Sequence, residues 1–173
     1  GYDTIDYNSI FALGLVLYAG YAWTQWPLTL DYGILERELT LAQIASDRGK
    51  QGTAIGSALG LAVSKLRKSE AESKVIVLLT DGLNNAGELD PITAARIAKD
   101  YDIRVYTIGA GSKDEVLVPQ RGLLGFQMMR PMHMPIDVET LRKIAELTGA
   151  KFYRATDTAS LQGAYEEINQ LEA

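Results

Sequence analysis

The 173-residue chain is long enough to bury a core, and its 47% hydrophobic and 23% charged residues are ordinary for a globular protein, which excludes a disordered tail or a fibrous repeat. Its 17 basic and 22 acidic residues give a net charge of -5 without any Lys/Arg block, so the chain has no electrostatic footprint for nucleic acid. The lack of cysteine excludes a disulfide scaffold, a thiolate zinc site and a cysteine nucleophile.

The first predicted element lies in the apolar run from Ile10 to Ala22. This run is about a third shorter than the roughly 20 residues of a membrane-spanning helix, and it lacks the flanks of a signal peptide. We interpret the whole run as one buried strand, in which Ala12 to Tyr18 is continuously apolar. For the aromatic residues around the following turn, core packing is the default explanation; they are Tyr18, Tyr21, Trp23 and Trp26.

Further on, apolar runs alternate with segments of helical period. The predicted elements in chain order are a helix Ala54 to Leu66 capped by Thr53, a strand Val75 to Leu79, a helix from Pro91 capped by Asp90, a strand Arg104 to Gly109, a helix capped by Asp137 and ended by Gly149, a strand Lys151 to Arg154, and a helix Thr158 to Leu171. This alternation predicts one α/β domain over residues 1–173, doubly wound, with a mainly parallel sheet and helices on both faces.

The segment from Ala110 to Pro135 is too long for a simple connection and predicts a hairpin or a functional loop. It contains all four methionines, Met128, Met129, Met132 and Met134, for which packing under the loop and contact with a partner both remain open. The single histidine, His133, is interpreted as an exposed loop residue. The sequence has no G-x-S-x-G nucleophile elbow for a catalytic triad that would use this histidine.

Two residues suggest a metal site. Asp81 follows the apolar strand in Val75–Gly87 (VIVLLTDGLNNAG), at the sheet edge where ligands of open α/β sheets bind. Thr53 lies at a glycine-flanked helix start. A hydroxyl and a carboxylate on neighbouring loops suit a hard divalent cation such as magnesium. A turn residue and an N-cap are the alternative roles of Asp81 and Thr53.

The order and spacing of these segments resemble the von Willebrand factor type A (VWA) domain, and the bacterial Bat (aerotolerance-type) membrane proteins in particular. The resemblance rests on Gly14–Asp31, Gly52–Leu59, Val75–Gly87, Ile103–Gly109 and Asp137–Leu171. It implies a Rossmann-like fold with a metal-ion-dependent adhesion site, in which Thr53 and Asp81 are metal ligands and a partner's acidic residue completes the shell.

The chain departs from that family in one motif. No Asp-x-Ser-x-Ser sequence occurs in these 173 residues, and comparison with the family predicts that its first strand is missing or replaced. The oxygen-bearing residues Asp3, Asp6, Asn8 and Ser9 precede a strand rather than follow one, so no ligand role is given to them. By family topology the missing strand belongs between Ala12–Tyr18 and Val75–Leu79, and its loss leaves two apolar edges to be filled.

The resulting hypothesis is a non-enzymatic protein-interaction module of a membrane-associated bacterial protein. It would lie on the periplasmic or another extracytoplasmic side, with membrane segments outside these residues. It would bind Mg²⁺ weakly or not at all, contact an acidic partner through Asn84 and the four methionines, and form homo-oligomers. A magnesium-dependent hydrolase and a metal-free assembly domain are the alternatives.

Overall fold

A computed structural model describes residues 13–31, 33–34, 37, 52–71, 73–81, 83–111, 116–121, 127–132 and 136–172. Strands and helices alternate through most of this part of the chain. In chain order they are β1 (Leu13–Tyr18), β2 (Ala22–Thr29), α1 (Ile55–Leu66), β3 (Lys74–Thr80), α2 (Pro91–Asp100), β4 (Ile103–Ala110), β5 (Val116–Arg121), β6 (Gln127–Met132), α3 (Val138–Leu147), β7 (Phe152–Ala155) and α4 (Thr158–Glu172).

Strands β3, β4 and β7 form a parallel sheet in that order, with β4 in the centre. Ile76 pairs with Val105 between β3 and β4, and Ile108 pairs with Tyr153 between β4 and β7. The predicted strands at 75–79, 104–109 and 151–154 are therefore confirmed to within a residue or two. Their carboxyl ends meet at one edge of the sheet, where Asp81 follows β3.

Helices cover both faces of this sheet, as the sequence predicts. On one face, helices α1, α2 and α3 contribute Ile55, Ala95 and Ile144 to a cluster that includes Val105 of β4. On the other face, helix α4 packs Ile168 into a second cluster around β4. Strand β4 is thus buried from both sides, which explains why it is a nearly continuous apolar run.

Strands β1 and β2 form a separate antiparallel hairpin. Strand β1 was predicted, but β2 was not. The interpretation of the apolar run from Ile10 to Ala22 as one strand is wrong, because a turn at residues 19–21 divides it. Core packing is also wrong for Tyr21, which is 43% exposed. Tyr18 does pack against the core.

Two of the predicted helix caps are confirmed. The carboxylate of Asp90 accepts a hydrogen bond from the Thr93 N–H at 2.8 Å, and that of Asp137 accepts one from the Thr140 N–H at 3.0 Å. Gly149, just past helix α3, has φ +73°, the left-handed conformation that ends helices.

The segment from Ala110 to Pro135 contains an antiparallel hairpin of β5 and β6, as one of the two predictions had it. The backbone of Met128, Met129 and Met132 lies in β6. His133 and Met134 lie outside the described residues, as does the N-terminal segment with Asp3, Asp6, Asn8 and Ser9. Among the described residues, no helix is long and apolar enough to span a membrane.

Candidate functional site

Three loops meet at the carboxyl edge of the sheet, beside the start of helix α1. They are the β1–β2 turn at residues 19–21, the segment 52–54 before α1, and the loop that starts at Asp81 after β3. The Ala54 N–H donates to the Ala19 carbonyl at 2.7 Å. The Asn85 and Ala86 N–H groups donate to the Thr53 carbonyl at 3.0 and 3.2 Å. Backbone hydrogen bonds therefore bring Thr53 and the Asp81 loop together, although their sequence positions are far apart.

The start of helix α1 is held by asparagine side chains from this neighbouring loop. Asn85 Oδ1 accepts from the Thr53 N–H at 2.7 Å, and Asn84 Oδ1 accepts from the Gly56 N–H at 3.4 Å. The predicted N-cap role of Thr53 is wrong, because the N-cap position is Ala54 and no side chain of the helix's own segment caps it. The acceptors come instead from residues that follow another strand.

The Thr53 hydroxyl is consequently not used by the fold. In the part of the chain that the structure describes, no hydrogen bond involves this hydroxyl. The side chain of Asp81 is exposed at the start of the same loop network. Both predicted ligands thus have oxygens that a cation could use.

The loop needs glycine at a point of close approach. Gly87 has φ +87°, which favours glycine. A β-carbon there would also lie 3.1 Å from the Ala54 Cβ and collide with the Ser57 hydroxyl. The glycine therefore lets the loop lie directly against the start of α1.

Tyr18, the last residue of β1, borders the site. Its hydroxyl donates to the Leu79 carbonyl at 2.6 Å. Burial raises the pKa of Tyr18 to about 12. A hydrogen bond with Thr80 lowers this pKa, and the negative charge of Asp81 raises it further. The hydroxyl is therefore protonated at neutral pH. Tyr18 and Asp81 line the same cavity.

The donor set fits a metal ion only in part. Among the described residues, no group of three or more Asp, Glu, His or Cys side chains is placed to hold one. Thr53 and Asp81 supply a hydroxyl and a carboxylate, so water or a partner would supply the remaining oxygens. Asn84, predicted to contact a partner, accepts a hydrogen bond from the Gly56 N–H of α1. Its partner role stays a prediction, as do those of the methionines.

Sequence reasoning missed Asn85, whose side chain fixes the position of Thr53. The available signal was the Asn-Asn pair directly after the Asp-Gly turn, because asparagine side chains readily accept hydrogen bonds from nearby backbone. Which backbone they would reach could not be read from the sequence.

A model of the von Willebrand factor type A domain matches residues 7–167. The chain belongs to the VWA family. An uncharacterized protein of Borreliella burgdorferi is 31% identical over 160 residues, which are 92% of this chain and 46% of that protein. The chain thus spans about half the length of the curated relatives it matches.

Two solved structures with the same fold carry Bat-type descriptions. BatB from Bacteroides thetaiotaomicron is 25% identical with a TM-score of 0.69, over 94% of this chain and 80% of that one. An aerotolerance-related membrane protein from Bacteroides fragilis is 28% identical with a TM-score of 0.68, over 92% of this chain and 79% of that one. This VWA domain is therefore similar to Bat-like proteins, as the sequence motifs indicated.

We expect Asn85→Ala to lower the free energy of unfolding by about 1 kcal/mol, because it removes the acceptor of the Thr53 N–H just before α1. Thr53→Ala is the matched control, since its hydroxyl makes no bond in the described structure, and it should change stability by less than about 0.5 kcal/mol. Urea denaturation of both variants measures this. Equal losses in the two variants, or a larger loss for Thr53→Ala, would contradict the role given to the Asn85 side chain.

Proposed function

We propose that this VWA domain is a protein-interaction module of a Bat-like membrane-associated protein, in which Thr53 and Asp81 bind a divalent cation and a partner's carboxylate completes its coordination. The observation that carries the proposal is the loop network that joins Thr53 to the Asp81 loop at the carboxyl edge of the sheet. The network places the two loops against each other, and neither the Thr53 hydroxyl nor the exposed Asp81 carboxylate is used in it.

The chemistry of this pair supports recognition of an acidic partner. Hard divalent cations take oxygen ligands and keep several waters, so a site with two protein ligands has positions that an incoming carboxylate can occupy. The chain itself is acidic, with a net charge of -5, so a cation would also offset repulsion of an acidic partner. In this reading Thr53 and Asp81 hold and orient the ion, and the Asn85 bond fixes Thr53.

The membrane part of the proposal is supported by the relatives. The Bacteroides fragilis protein is described as an aerotolerance-related membrane protein, and the curated relatives extend well beyond the matched region. We infer that membrane segments outside these residues hold the domain at the membrane, on an extracytoplasmic side. Nothing in the described residues adds support to the magnesium-dependent hydrolase.

The proposal predicts weak cation binding by the isolated chain. With two protein ligands, the dissociation constant for Mg²⁺ or Mn²⁺ should be on the order of 10⁻³ M. Asp81→Asn should abolish the binding, whereas Asp100→Asn, which changes an exposed acidic residue on α2, should leave it unchanged. Calorimetric titration of the three proteins measures this.

Two outcomes of that titration would count against the proposal. Micromolar binding that Asp81→Asn leaves unchanged would place the cation elsewhere. No binding at any usable concentration would favour the metal-free assembly domain instead.

A further inference from the structure

Asn85 is joined to Thr53 by two hydrogen bonds. Its side-chain Oδ1 accepts from the Thr53 N–H at 2.7 Å, and its own N–H donates to the Thr53 carbonyl at 3.0 Å. A backbone N–H can bond only to the oxygen of a side-chain amide, so this contact also fixes which end of the Asn85 amide carries the nitrogen. The Nδ2 group is therefore held in place without taking part in either bond.

The Nδ2 group of Asn85 has two N–H donors that the fold does not use. Within the described residues no hydrogen bond involves them, and Asn85 is exposed. Asn84 differs, because it is half-buried over the start of α1, where its Oδ1 accepts from the Gly56 N–H at 3.4 Å. A donor that is already held by its neighbours loses little side-chain entropy when it binds a ligand.

The surroundings of Asn85 offer few other donors to an anionic group. The described residues of the three loops are 19–21, 52–54, Asp81 and 83–87, and they include no lysine or arginine. Their one charged side chain is the Asp81 carboxylate, which can only accept hydrogen bonds when ionised. An anion at this edge of the sheet therefore needs a cation, a neutral donor or both, and Asn85 supplies the neutral donor.

One carboxylate is large enough to use both. The two oxygens of a carboxylate lie about 2.2 Å apart, and the oxygen and nitrogen of an amide are separated by about the same distance. A magnesium ion binds oxygen at about 2.1 Å, and a charge-assisted hydrogen bond is about 2.8 Å long. Because Asn85 is bonded directly to Thr53, these lengths are compatible with one carboxylate oxygen on a cation at Thr53 and the other on Nδ2.

We propose that Asn85 selects the carboxylate of the partner. One carboxylate oxygen coordinates the cation at Thr53 and Asp81, and the other accepts a hydrogen bond from Asn85 Nδ2. The inference rests on the proposed function and adds the group that recognises the second oxygen. An asparagine of the partner would present its own N–H donors to Nδ2, so Asn85 favours a carboxylate over an amide of the same shape.

Titration with two capped tripeptides tests this role. The probes are acetyl-Gly-Asp-Gly-amide and the same peptide with asparagine in place of aspartate, and each is added to the ¹⁵N-labelled chain in saturating Mg²⁺. The NMR signals of the Asn85 side-chain amide are followed. We expect them to shift with the aspartate peptide and to stay unchanged with the asparagine peptide.

Asn85→Asp separates the donor from the structural role of the side chain. Its carboxylate can still accept from the Thr53 N–H, but it cannot donate, so the variant should be as stable as the native chain. It should bind the aspartate peptide about tenfold more weakly, the size expected for losing one hydrogen bond to a charged group. Asn85→Ala should weaken binding by a similar factor without adding a charge. Calorimetry measures Mg²⁺ binding by each variant separately.

Three results would overturn the inference while the cation site remains. They are Asn85 side-chain signals that do not shift, equal binding of the two peptides, and native peptide affinity in Asn85→Ala. The third result would assign any loss in Asn85→Asp to charge repulsion rather than to a missing donor. If the native chain bound no Mg²⁺, the proposed function would fail and this inference with it.

Discussion

Gly56→Ala is expected to destabilise the domain by about 3 kcal/mol, the upper end of the usual cost of overpacking. Gly56 is buried in α1, where the helix crosses the loop that leads into α2. A β-carbon there would lie 2.8 Å from the Leu89 carbonyl carbon and 2.9 Å from that of Asp90, and closer still to the Leu89 oxygen. These are backbone atoms at the capped start of α2, so they cannot move aside as a flexible side chain would.

Gly163→Ala in helix α4 is the matched control. A β-carbon at Gly163 would meet nothing within 4 Å, and the position is exposed. Alanine should therefore stabilise the domain by about 0.5–1 kcal/mol through its higher helix propensity. Urea denaturation with an unchanged m-value measures both effects. A Gly56→Ala variant as stable as the native chain would show that α1 can move away from the loop.

Thr148→Val is expected to lower stability by about 2 kcal/mol, because it leaves a buried backbone donor unpaired. Strand β7 begins at Phe152, opposite Thr107, so it does not reach Val105. The Thr148 hydroxyl takes the place of a strand there and accepts from the Val105 N–H at 3.0 Å. Valine has nearly the same shape, so the loss comes from the hydrogen bond rather than from a cavity.

Thr107→Val is the comparison for Thr148→Val, because Thr107 is also a buried threonine. Its hydroxyl donates to the Leu141 carbonyl at 2.9 Å, and that carbonyl also accepts the regular bond of helix α3. Removing this hydroxyl leaves no group unpaired, so we expect a loss below about 1 kcal/mol. Thermal or urea unfolding ranks the two variants. A larger loss for Thr107→Val would contradict the role given to Thr148.

Features set by local residues could be predicted from the sequence. Asp90 and Asp137 cap helices through bonds to residues three positions later, so the sequence contains both partners. The three strands of the parallel sheet could be predicted because burial on both faces requires continuous apolar runs. The family resemblance then assigned Thr53 and Asp81 to one predicted metal site.

Features set by distant partners could not be predicted. The start of α1 is held by Asn84 and Asn85, about thirty residues further along, so Thr53 looked like the natural cap. Strand β2 was missed because Thr24 and Gln25 interrupt its apolar residues and Pro27 is unusual in a strand. A proline is tolerated in β2 since this strand pairs with β1 alone among the described strands.

Paramagnetic broadening by Mn²⁺ tests the central claim, a cation site at Thr53 and Asp81, most directly. When Mn²⁺ is added to the isotope-labelled chain, the amide signals of residues 52–54 and 83–86 should weaken first, and those of α2 should persist. The same titration of Asp81→Asn should remove the effect, while Asp100→Asn should retain it. First broadening at another acidic surface, or an unchanged pattern in Asp81→Asn, would contradict the account.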